Sequence, residues 1–117
     1  MKFKNLLVSC LMGIAALGAA GVASAGDVRM FVHHEVSDYG AWRKTYNAFG
    51  PTQKKLGVIY EAVYQSTEDP NDVTVIHDFH SLEKAKAFAA SPELKAAMEK
   101  SGVKGTPQIW YTTKGAK

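Results

Sequence analysis

Hydrophobic spacing along this 117-residue chain changes period in an order that few folds accommodate. Residues Val28–Val36, Val58–Gln65, Val73–Phe79 and Pro107–Thr113 are rich in β-branched and apolar side chains and read as strands. Between the first two, Tyr39, Trp42, Tyr46 and Phe49 recur at spacings of three and four, which puts them on one helix face. Between the last two, Ser81 can cap a second helix, with Glu83 near its positive end. Ser91-Pro92-Glu93 restarts that helix, because proline suits the first helical position. The order β-α-β-β-α-β predicts an α+β, ferredoxin-like fold: an antiparallel four-stranded sheet with helices on one face. Its strand order, 4-1-3-2, makes strand one antiparallel to strands three and four.

The punctuation agrees. Ser37 or Asp38 can cap the first helix. Gly50-Pro51 should kink or end it, since proline lacks an N–H and clashes with the preceding turn. Gly57 closes the segment and Gly102 ends the second helical region. Asp69-Pro70-Asn71-Asp72 is a turn that makes strands two and three a hairpin. Both sheet faces carry apolar groups. Strand one offers Val28, Met30 and Val32 on one side and Phe31 on the other; strand two offers Val58, Tyr60 and Tyr64 against Ile59 and Val63. An apolar open face asks for a cover, most simply a second copy of the chain.

Residues 1–25 read as a secretory signal peptide. Lys2 and Lys4 form a positive start, Leu6 to Val22 is an apolar run, and Ala23-Ser24-Ala25 is a small-x-small cleavage pattern. The expected mature protein is a single domain, residues 26–117, secreted or periplasmic after cleavage behind Ala25, with no membrane attachment. Leu7-Val8-Ser9-Cys10 resembles a lipid-attachment site but comes too early in the apolar run. Cleavage removes Cys10, the only cysteine, and two lysines; twelve basic and eleven acidic residues remain, net +1. That charge gives no case for a nucleic-acid partner. The chain shows no internal repeat, and only Lys114 to Lys117 are expected to fray.

A family resemblance rests on His34-x-Val36-x-Asp38-Tyr39-x-x-Trp42, Gly57-Val58, Asp69-Pro70-Asn71-Asp72-Val73, Ser81-Leu82-Glu83-x-Ala85-x-x-Phe88, Ser91-Pro92-Glu93-Leu94-Lys95 and Gly102-Val103. These runs resemble the dimeric α/β-barrel superfamily, in particular its antibiotic-biosynthesis-monooxygenase-like and cyclase-like small proteins. The resemblance implies a homodimer with two sheets face to face and a ligand cavity between each sheet and its helices. It implies chemistry ranging over cofactor-independent oxygenation of phenols, heme binding or degradation, and small cyclisations. In heme-degrading members the iron-binding histidine lies on the second helix, where this chain has none.

Side chains alternate across a strand, so His33 and His34 point to opposite faces. His34 shares a face with Met30, Val32 and Val36, and His77 with Val75 and Phe79; these more apolar sides are expected under the helices. Trp42, Tyr46, Tyr60 and Phe79 would complete an aromatic pocket in which His34 and His77 can move protons. In an oxygenase of this type one histidine would deprotonate a phenol. The alternative for each is core packing. Arg29, His33, Glu35, Glu61, Asp78 and His80 are expected on the other face, as interface ion pairs or a polar second site. No three ligands converge for a metal: His77 and His80, three apart on a strand, diverge. No cofactor is expected. Three functions stay open: a cofactor-free monooxygenase- or cyclase-like enzyme acting on a small aromatic compound, a non-enzymatic binder of a small apolar or aromatic ligand, and a structural or stress-related dimer with a filled cavity.

Overall fold

The computed structural model describes residues 27–117; the segment read as a signal peptide, with Cys10, lies outside the described residues. The elements run β1 (Val28–Val36), α1 (Tyr39–Ala48), α2 (Gly50–Lys55), β2 (Tyr60–Gln65), β3 (Asp72–Phe79), α3 (Leu82–Ala89), α4 (Pro92–Ser101) and β4 (Val103–Thr113). One sheet of order β2-β3-β1-β4 results, with every neighbouring pair antiparallel. This is the ferredoxin-like α+β arrangement that the order of periodicities predicts. Among the described residues no helix is long and apolar enough to cross a membrane.

Local chemistry sets the boundaries. Asp38 caps α1 by accepting from the Ala41 N–H at 2.8 Å. Pro51 starts α2, so the helical face begun at Tyr39 continues through a break at Phe49. Ser81 and Ser91 cap α3 and α4, accepting from Lys84 N and Leu94 N at 3.2 Å each. Gly102 ends α4 in the left-handed conformation (φ 84°), which only glycine adopts without strain. In the β2–β3 turn, Asp69 accepts from Asn71 N at 2.9 Å, and Asn71 then accepts from Tyr39 N at 2.8 Å, tying the hairpin to the start of α1.

β4 begins at Val103, four residues before the predicted start at Pro107. Gly105 and Pro107 give Val103 to Gln108 the composition of a loop. The segment nevertheless pairs with β1 through a register shift between His33 and Glu35. β4 is an edge strand, where a proline costs no ladder hydrogen bond if its nitrogen faces outward.

The register assigns the faces, because directly paired residues share one. Met30 pairs with His77, Val32 with Val75 and His34 with Val73; Glu61 and Val63 pair with His77 and Val75. This is the helix-covered side. Its core is Met30, Val32, Val36, Val73, Val75, Phe79 and Phe88, all nearly inaccessible. The other side carries Arg29, Phe31 and His33 of β1 with Tyr60 and Tyr64 of β2, Ile76 and Asp78 of β3 and Trp110 of β4.

Two expected placements are therefore corrected. Tyr60 is on the open face, opposite Asp78 and half exposed, and takes no part in a helix-side pocket. Glu61 is on the helix side, opposite His77. Both strand-two faces carry apolar residues, so hydrophobicity alone could not choose between them; the pairing to β3 does.

Candidate functional site

The helix-side cavity is built by β1, β3, α1, α2 and α4. The aromatic stripe of α1 lies over the sheet: Trp42 meets the edge of His34 (centroids 5.7 Å, planes at 72°) and stacks on Tyr46 at 4.9 Å. The cavity is partly open to its surroundings and has a volume of about 40 Å³. That holds roughly three water molecules, or the polar end of a larger guest. Val32 and Val75 of the sheet and Leu94 and Met98 of α4 line it.

Of the residues expected to form a pocket, His34, His77, Trp42 and Tyr46 line this cavity. Phe79 does not. It sits two rungs beyond His77, opposite Val28, fully buried against Phe88 at 5.3 Å. Its helix-side parity is as expected, but the chain of the core rather than the cavity takes it up. His34 and His77 stand two ladder rungs to either side of Val32 and Val75, so their Cα atoms are separated by roughly 13 Å along the sheet. They close opposite ends of the cavity and do not converge on one atom.

Gln53 is the residue the sequence reading missed. It is buried and lines the cavity. A signal existed: Trp42, Tyr46, Phe49 and Gln53 continue the same four-three-four spacing, but Gly50-Pro51 reads as the end of the stripe. The proline instead opens a second helix on the same course.

The polar atoms of the site have a common property. Among the described residues, the buried side-chain nitrogens and oxygens without a protein partner are both ring nitrogens of His34, Nδ1 of His77 and Nε2 of Gln53. All belong to residues lining this cavity. Gln53 leans toward the Tyr46 hydroxyl without closing a hydrogen bond of good geometry. Each such buried group costs about 1–3 kcal/mol unless something polar meets it. Burial pushes both imidazoles down to about 4, so each is neutral at pH 7, with one N–H donor and one lone pair. Burial, and then the hydrogen bond to Glu61, drive the Tyr46 hydroxyl well above the usual phenol range, so it keeps its proton. Tyr46 donates to Glu61 Oε1 at 2.6 Å, and its oxygen lies 3.3 Å from His77 Nε2.

The open face differs in kind. Arg29 grips Asp78 with two hydrogen bonds of 2.8 and 2.9 Å and lies over the Tyr60 ring. His33 bridges Asp72 and Gln108, the Gln108 contact at 3.2 Å, and these partners raise its pKa. His80 pairs with Asp27 at the exposed end of β3. Glu35 is exposed at the other end of β1. These residues form separate pairs along strands and bring no third ligand together; among the described residues no three histidines, cysteines or carboxylates lie within reach of one ion.

No family model matches the chain, and no curated protein matches it. Solved structures do match. One from Bordetella bronchiseptica, provisionally named an antibiotic biosynthesis monooxygenase, superposes with a TM-score of 0.69 at 15% identity, over 78% of this chain and 99% of its own. SnoaB, a cofactor-independent oxygenase from Streptomyces nogalater, gives 0.65 at 12% identity, over 80% and 97%. A Caulobacter crescentus protein with the same provisional name as the first gives 0.64 at 16%, over 78% and 92%. Identities this low speak for the backbone and leave chemistry to the site. The chain has the ferredoxin-like fold of the antibiotic-biosynthesis-monooxygenase-like proteins.

Proposed function

We propose that the protein is exported, pairs through its open sheet face into a homodimer, and binds a small hydroxylated aromatic compound in the helix-side cavity of each subunit. One observation carries the binding reading: the unpartnered buried polar atoms of the described residues all belong to one aromatic-walled cavity. A chain that only needed a packed core would stabilise itself by replacing those groups with apolar ones of the same shape. A guest with a ring and a hydroxyl meets both halves of the lining. Its hydroxyl fits the present space. Its ring requires Met98 and Leu94 to yield, and methionine is unbranched and adaptable.

Pairing is supported by the open face. Tyr60, Tyr64 and Trp110 are about half exposed there, and Trp110 stacks flat on Phe31 at 5.1 Å. Export is supported by the features of residues 1–25. The reading uses no metal or redox cofactor.

Cofactor-free oxygenation is the second reading, favoured by the fold shared with SnoaB. Its demanding step is proton removal. An imidazole held at about 4 faces a phenol near 10, a gap of about six units or roughly 8 kcal/mol. That burden is heavy for a simple phenol and lighter for an acidic enol or quinol. Binding therefore comes first, and turnover is reserved for substrates of lower pKa.

Calorimetric titration with phenol and with toluene tests the reading. Phenol is expected to bind and toluene to bind at least about tenfold more weakly, since only phenol satisfies the buried polar atoms. His34→Leu and His77→Leu together should erase that difference with the fold intact by circular dichroism. Equal affinity for the two compounds in the native protein would contradict it. Oxygen uptake with an acidic quinol, lost in the same variant, separates enzyme from binder.

A further inference from the structure

Glu61 lies on the exposed edge of β2 and reaches the hydroxyl of Tyr46, which donates to its Oε1 at 2.6 Å. The same hydroxyl oxygen is 3.3 Å from His77 Nε2. A phenol has one proton. The short contact to a carboxylate takes it, because an ionised carboxylate only accepts. The remaining contact is then a hydrogen bond only if Nε2–H of His77 donates to the Tyr46 oxygen. A neutral imidazole has a single N–H. Its Nδ1 is therefore a bare lone pair, and Nδ1 is buried in the cavity wall without a protein partner.

We infer that Glu61 is a specificity-determining positioning residue: acting through Tyr46, it holds His77 as the Nε2–H tautomer, so that the His77 end of the cavity favours guests that donate a hydrogen bond over those that only accept one. The inference rests on reading the cavity as a binding site. It narrows the guest to hydroxylated or N–H aromatics such as phenols, enols and quinols. At this end an aryl ether or aryl aldehyde would set its own lone pairs against Nδ1 and leave that buried acceptor unmet, whatever donor the guest met at Gln53 or His34. Glu61 never touches the guest, so its effect is on the sense of one hydrogen bond and not on the shape of the cavity.

The test needs a readout that reports the tautomer directly. Nitrogen-15 chemical shifts of the histidine ring at neutral pH provide it, for the native protein, Glu61→Gln and Glu61→Leu. Glu61 is exposed, so both variants should fold. The native protein should show His77 protonated at Nε2. Glu61→Gln keeps a carbonyl oxygen for the Tyr46 proton and should preserve that state. Glu61→Leu removes the acceptor, so Tyr46 turns its proton to Nε2 and His77 switches to Nδ1–H. Phenol should bind about tenfold or more tightly than anisole to the native protein and Glu61→Gln, and this preference should vanish in Glu61→Leu, where benzaldehyde gains. A native His77 protonated at Nδ1, or one unchanged in Glu61→Leu, overturns the inference even if phenol binds. A tautomer that switches while no variant binds phenol overturns the binding reading and the specificity role with it.

Discussion

The two faces of one sheet treat the same side chain in opposite ways. His33 and His34 are consecutive, yet one is raised in pKa by Gln108 and Asp72 on the open face while the other is pushed down to about 4 by burial beneath Trp42. Under the helices, both ring nitrogens of His34, Nδ1 of His77 and Nε2 of Gln53 are buried without a protein partner. On the open face polar groups are paired with one another, among half-exposed aromatics. In the proposed reading the helix side receives a small guest and the open side meets a second copy of the chain. Parity along one strand separates these environments.

The largest expected effect tests whether the helix side carries the fold. Phe79→Ala removes a fully buried ring and should cost about 3–5 kcal/mol, read from urea midpoints. Truncating Tyr64 on the open face should cost far less in the fold itself. A Tyr64→Ala loss equal to that of Phe79→Ala would dissolve the distinction between the faces.

Acid comes next. The folded pKa of His77 is depressed, so the unfolded chain binds more protons between pH 6.5 and 4. Stability should fall as pH drops through that window, by roughly 3 kcal/mol from His77 if fully expressed. His33 works in the other direction. Its folded pKa is raised, so its contribution is fully present below 6.5 and is lost as pH rises through the folded value. Denaturation midpoints of His77→Asn and His33→Asn across pH 4 to 8 separate the two: the first should reduce the acid limb, which His34 shares, and the second should remove part of the loss of stability as pH rises beyond 6.5.

Trp110→Lys sharpens the open-face reading. It places a charge where Trp110 stacks on Phe31 and should leave a folded monomer, shown by light scattering together with unchanged circular dichroism. A dimer that survives would move the interface elsewhere. Smallest of all, Asp78→Asn breaks the paired contact with Arg29; because Arg29 is well exposed, the cost should stay below about 1 kcal/mol.

Much of this arrangement was legible in the residues. Caps at Asp38, Ser81 and Ser91, the Asp69-Pro70-Asn71-Asp72 turn and the left-handed Gly102 are local signals, each satisfied within a few residues, so reading them needs no tertiary knowledge. The α1 stripe located Trp42 and Tyr46 on the face that covers the sheet. What escaped reading depends on pairing between distant strands. Tyr60 and Glu61 exchange sides with a one-residue change of phase, and only Glu61 opposite His77 settles it. The early start of β4 is hidden by Gly105 and Pro107, which an edge strand tolerates. Gln53 is hidden by a proline that breaks the helix without turning it away from the cavity.

The central claim is that the helix-side cavity, and not the open face, receives a small hydrogen-bonding aromatic guest. Amide and ring resonances of the purified protein followed during titration with phenol test it most directly. The account predicts saturable shifts concentrated at His34, Trp42, Tyr46, Gln53 and His77, with Arg29, His33 and Trp110 unmoved. Shifts confined to Phe31, Tyr60 and Trp110, or none that saturate, would contradict it.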